Sequence, residues 1–115
     1  MKNTILRDKS YAFAIRIVKL SQFLQSKKKE FVLSKQILRS GTAICALIQE
    51  AEFAQSRADF VNKMSIALKE ANETKYWLSL LKDTDFLEEK PFQSLQADCK
   101  EVVAMLVSTV KTTKQ

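Results

Sequence analysis

Apolar residues recur along this chain with the spacing of one helix face, and they do so in four separate stretches. In the first, Phe13, Ile17, Leu20 and Leu24 follow one another at intervals of four, three and four, which predicts an amphipathic helix over about 10–28, ending near "SKKKEF". Ser34 is placed to cap a second helix over 34–54, with the stripe Ile37, Gly41, Ile44, Ile48 and Ala51. Ser56 is placed to cap a third over 57–83, with Asp59 in its first turn and a long stripe from Phe60 through Met64, Ala67, Ala71, Thr74 and Leu78 to Leu81. After "KDTDFLEEKP", Pro91 suits the first turn of a fourth helix over 91–111, which carries Phe92, Leu95, Cys99, Val102, Leu106 and Thr109. Similar helices joined by short links leave no room for a crossover, so the expected fold is an all-α, antiparallel up-down-up-down four-helix bundle forming one domain.

The second stretch is richer than one stripe needs. In "RSGTAICALIQEA", Ile44, Cys45, Leu47 and Ile48 point in nearly every direction around a helix axis. "YWLSLL" (76–81) sets Trp77 and Leu80 off the main seam in the same way. Surplus apolar surface of this kind marks an interface, so the pattern predicts a homo-oligomer with Gly41, Ile44, Leu47, Ile48, Trp77 and Leu80 at the contact. Gly41 fits that expectation, since a mid-helix glycine costs about 1 kcal/mol relative to alanine and close approach of another backbone offsets it.

Composition narrows the chemistry. The chain of 115 residues has one Gly, one Pro and no His, with a formal charge of +6. Without histidine there is neither the commonest general base nor a Glu-x-x-His di-iron site, and a lone glycine makes no phosphate-cradling loop. Glu70 and Glu73 on the third helix and Glu50 on the second are close enough in pattern to raise the idea of a shared metal. The plainer expectation is structural ion pairs with Arg39 and nearby lysines. Cys45 and Cys99 lie in apolar helical patterns without CxxC spacing and are expected as reduced core thiols. The N-terminal "MKNTILRDKSYAF" lacks a signal peptide's apolar stretch, and no run approaches a membrane span, so a cytoplasmic protein without cofactor, metal or catalytic residues is expected.

The bundle topology also sorts the charges. Lys27, Lys28, Lys29, Lys35, Lys82 and Lys90 should share one end with Glu30, Asp83, Asp85, Glu88 and Glu89, so the acidic third connection is expected to neutralise the lysine run. Lys2, Arg7, Lys9, Arg57, Lys63, Lys111 and Lys114 should share the other end with only Asp8 and Asp59. That terminal end is the candidate nucleic-acid surface, binding phosphates by charge and counterion release.

"LSKQILRSGTAICALIQEA" and "SRADFVNKMSIALKEANETKYWLSLL" resemble the two characteristic segments of the bacterial four-helix-bundle proteins first named for reading frames inside 23S ribosomal RNA intervening sequences. Arg39-Ser40-Gly41, Glu50-Ala51, Asp59-Phe60, Ala67, Glu70, Glu73 and Tyr76-Trp77-Leu78 carry the resemblance in this order. It implies an up-down-up-down bundle assembled as a homopentamer around a channel. Relatives commonly read Ser-Ile-x-Ala-Asn-Ile where this chain has Ala43-Ile44-Cys45-Ala46-Leu47-Ile48, so any role of that Asn is missing here. The accessory variability determinants of diversity-generating retroelements, basic barrels that bind a reverse transcriptase and nucleic acid, belong to the same group. Two functions are therefore expected as alternatives: a non-enzymatic scaffold binding RNA or an RNA-DNA hybrid, or an adaptor to a protein such as a reverse transcriptase.

Overall fold

The computed structural model describes residues 4–114. They form four helices, α1 (Thr4–Ser26), α2 (Leu33–Ala51), α3 (Arg57–Asp83) and α4 (Glu89–Lys114), and no strand among the described residues. The bundle is 44 Å long and 20 × 19 Å across. Its antiparallel order is fixed at both ends. The hydroxyl of Ser21 donates to the carbonyl of Ser34 (3.1 Å) near the first connection, while Arg7 pairs with Glu52 (3.1 Å) at the far end of α1 and α2.

Most helix ends differ from the sequence expectation, each for a local reason. α1 begins ahead of Ser10 because Leu6, fully buried, carries the stripe back another turn; Ser10, inside the helix, is a buried hydroxyl donating to the carbonyl of Arg7 (2.9 Å). It closes at Ser26, after which Lys29 adopts a left-handed conformation (φ 56°) and the N–H of Glu30 returns to the carbonyl of Leu24 (3.0 Å). Ser34 does not cap α2. The carboxylate of Glu30 does so from outside the helix, accepting the N–H groups of Val32 (3.2 Å), Leu33 (3.0 Å) and Ser34 (2.7 Å). Burial alone would raise the Glu30 pKa, but these donors outweigh it and hold the carboxyl below the usual range. α2 stops at Ala51 rather than 54, where the N–H groups of Glu52, Phe53 and Ala54 turn back to carbonyls three residues earlier.

The start of α3 follows the pattern. Ser56 Oγ accepts the N–H of Asp59 (3.0 Å), and Asp59 in return accepts the N–H of Gln55 (3.2 Å). Its end is a Schellman closure with Asp85 left-handed (φ 68°): Phe86 N–H reaches Leu81 O (2.9 Å) and Asp85 N–H reaches Lys82 O (3.1 Å). Pro91 lies in the first turn of α4, where a missing N–H costs no helical bond.

The core narrows the reading of α2 as an interface helix. α2 packs against α1 on one flank and α3 on the other, so its own chain covers a broad arc. Ile44 and Ile48 are 0 % and 1 % exposed, and Cys45 is buried with its thiol toward the carbonyl of Arg7 (3.8 Å). Gly41 meets α1 of the same chain: a Cβ there would stand 2.7 Å from Ile17 Cγ2 and 2.9 Å from Ile17 Cγ1. Gly41, Ile44 and Ile48 thus belong to the intrachain core and leave the predicted oligomer contact. Polar groups in that core are satisfied locally, as where Ser40 and Thr74, both fully buried, share a hydrogen bond (2.9 Å) across the α2–α3 seam.

Candidate interaction surfaces

The α2–α3 face gathers the largest set of singled-out residues. On α3, Glu70, Glu73, Trp77 and Leu80 follow at spacings of three, four and three, on the flank beside α2. Arg39 Nη1 donates to Glu70 (3.1 Å) and its Nη2 to Glu73, whose carboxylate also accepts the indole N–H of Trp77 (2.9 Å). The Trp77 indole and then the Arg39 guanidinium hold the Glu73 carboxyl below its usual range, against the effect of burial. Tyr76 packs edge-on to Trp77 with ring centroids 4.9 Å apart. Further along the seam Lys63 pairs with Glu50 (3.2 Å). Leu47, Trp77 and Leu80 are each half-buried, so apolar surface flanks a polar centre on both sides.

The terminal end is assembled from helix ends that the topology brings together. Arg57, first residue of α3, donates through Nε to the carbonyl of Thr113 in the last turn of α4 (2.7 Å). The predicted excess of positive charge is nevertheless smaller than the sequence count. Arg7 is paired with Glu52 and Asp8, Lys9 with Glu101 and Lys63 with Glu50. Glu50, Glu52 and Glu101 are not among the acids expected at this end, and only tertiary contact brings them to these cations. Arg7, Lys9 and Lys63 of the proposed surface thus meet four carboxylates, Asp8, Glu50, Glu52 and Glu101. Lys111 and Lys114 at the end of α4 make no ion pair there; Lys2 lies outside the described residues.

At the opposite end the expectation is reversed. No ion pair joins Lys27, Lys28 or Lys29 to the acidic third connection; the contact formed there is between Lys82 and Glu89 (3.3 Å). Lys27, Lys28 and Lys29 are exposed, and Asp85 serves the turn that closes α3.

Among the described residues, no group of His, Cys, Asp or Glu is placed to hold a metal ion. Both cysteines are buried and free of disulfide, and burial pushes the Cys99 thiol up to about 12, its Sγ against the carbonyl of Ala71 (3.4 Å). No helix of the described residues is long and apolar enough to cross a membrane.

Four antiparallel helices with a core closed within one chain and an ion-paired, aromatic outer face define an all-α protein of the four-helix class. The chain belongs to the 23S rRNA-intervening sequence protein family, whose sequence profile matches residues 2–108. It is similar to a protein of unknown function from the S23 ribosomal protein family of Bacteroides thetaiotaomicron, known from a crystal structure. The two share 56% identity over 96% of this chain and 99% of that one, with a TM-score of 0.94. No functionally curated protein matches the chain.

Proposed function

We propose that the protein is a non-enzymatic scaffold that assembles with copies of itself, as a pentamer, through the α2–α3 face, and holds RNA or an RNA-DNA hybrid by charge rather than by base readout. The observation that carries this reading is the α2–α3 face itself. A monomer gains little from leaving Leu47, Trp77 and Leu80 half-exposed around the Arg39–Glu70–Glu73 cluster, whereas a subunit contact would bury all of them. The formal charge of +6 supports the nucleic-acid part, and parallel subunits would repeat Lys111 and Lys114 around one rim. The family's description, which ties it to 23S rRNA intervening sequences, points the same way.

Light scattering and labelled RNA test the two parts separately. The wild type is expected to elute as an oligomer, and Leu47→Lys as a monomer with unchanged helical circular dichroism. A Leu47→Lys protein of wild-type mass would remove this face from the assembly. RNA anisotropy is expected to fall steeply with salt and to weaken in Lys111→Glu/Lys114→Glu; no binding at low salt would end the nucleic-acid reading. A second reading, an adaptor for a protein such as a reverse transcriptase, is favoured by the carboxylates that hold Arg7, Lys9 and Lys63.

A further inference from the structure

The seam between α1 and α4 is the loosest of the four. Toward the α1–α2 connection the two helices part around a groove of about 560 Å³. Its floor is apolar, made by the buried side chains of Leu20, Leu87 and Leu95, and Phe23, 42 % exposed, forms one wall. Lys19, Lys28 and Glu88, all exposed, supply charge around the groove.

The charges on this rim are not used up inside the chain. Arg16, at one end of the groove, is held by Asp98 (2.6 Å). Lys19 and Lys28 make no ion pair among the described residues, and neither do Lys27 and Lys29 in the adjoining turn. The Lys28 ammonium lies 5.9 Å above the Phe23 ring, so one cation already rests on the aromatic wall. An occupant must match an aliphatic floor and carry negative charge at its edges.

We propose that this groove docks an acidic amphipathic segment of a partner protein, its apolar side chains seated on Leu20, Leu87 and Leu95 and its carboxylates on Lys19 and Lys28. The dimensions agree. Arg16 to Phe23 spans two helical turns, about 10 Å, the length over which anchors at i, i+3 or i+4, and i+7 repeat. Nucleic acid fits less well, because the floor is aliphatic, Lys28 occupies the Phe23 ring and Glu88 repels phosphate. The groove is separate from the α2–α3 face and from Lys111 and Lys114, so its fate and that of the scaffold reading are decided independently.

The test uses three labelled probes against the whole chain. They are a short peptide with Leu and Trp at the anchor positions and Glu between them, the same peptide with Lys for Glu, and oligo(dT). The Glu peptide is expected to bind, to shift the amide resonances of Leu20, Phe23, Leu87 and Leu95, and to lose about tenfold in affinity in Lys19→Glu/Lys28→Glu. That charge-reversed protein should gain affinity for the Lys peptide. The milder Lys19→Gln/Lys28→Gln should weaken the Glu peptide in the same direction, which keeps the test decisive if the reversal disturbs folding. Equal binding of both peptides, absence of binding, or shifts confined to other residues would overturn the proposal. So would oligo(dT) displacing the peptide from these residues, or a change of oligomeric mass in the charge-reversed protein, which would assign the groove to nucleic acid or to another copy.

Discussion

α1 meets its two neighbours in opposite ways. Against α2 the contact is so close that Gly41 has no room for a methyl group beside Ile17, and Ser21 is bonded across the seam. Against α4 the helices are held by ion pairs at the surface, Lys9 to Glu101 and Arg16 to Asp98, and part over the groove beyond them. One helix thus serves as structural wall on one flank and as exposed binding edge on the other. A small side chain permits the first, and the absence of a large one filling the second leaves space for something else.

The contrast predicts an ordered series of effects on urea unfolding. Ile17→Ala should cost the most, about 2–5 kcal/mol, because it leaves a cavity where a fully buried side chain stood. Gly41→Ala should cost less, about 1–2 kcal/mol: overpacking against the stiff, branched Ile17 outweighs the gain of nearly 1 kcal/mol in helix propensity. In the double variant the new methyl has room, so its cost should fall short of the sum of the singles; strict additivity would show that Gly41 is not set by Ile17. Glu30→Ala should cost about 1 kcal/mol through the lost cap of α2. The Glu30 carboxyl is held below its ordinary value, so its contribution is complete above that value and lost as pH falls through the lowered one. The difference between wild type and Glu30→Ala should therefore shrink in the acid range below the ordinary glutamate value. Smallest should be Arg16→Ala, within about 1 kcal/mol, as for an exposed pair. A larger coupling in the cycle with Asp98→Ala would mean that the α1–α4 seam depends on its charges.

These differences also explain what the residues disclosed in advance. Helix count, order and the α3 cap were legible because apolar spacing and Ser56 with Asp59 are local signals. Ser34 misled because a serine in a buried stripe looks like a cap until the carbonyl of Glu30 is seen to take its hydroxyl. Ile44, Cys45 and Ile48 suggested a second covering surface because a single stripe was assumed, whereas a helix between two neighbours buries a wide arc. The partners of Lys9 and Lys63, and the gap between α1 and α4, depend on tertiary register and had no local trace.

Cys45 and Cys99 divide these seams between them. One thiol lies at the α1–α2 contact and the other between α3 and α4, both buried and neither in a disulfide. Burial keeps Cys99 protonated at neutral pH, so an alkylating reagent meets it as a thiolate only when the surrounding helices open. The chain carries two built-in clocks, and mass spectrometry of timed alkylation would read whether its halves breathe together or one at a time.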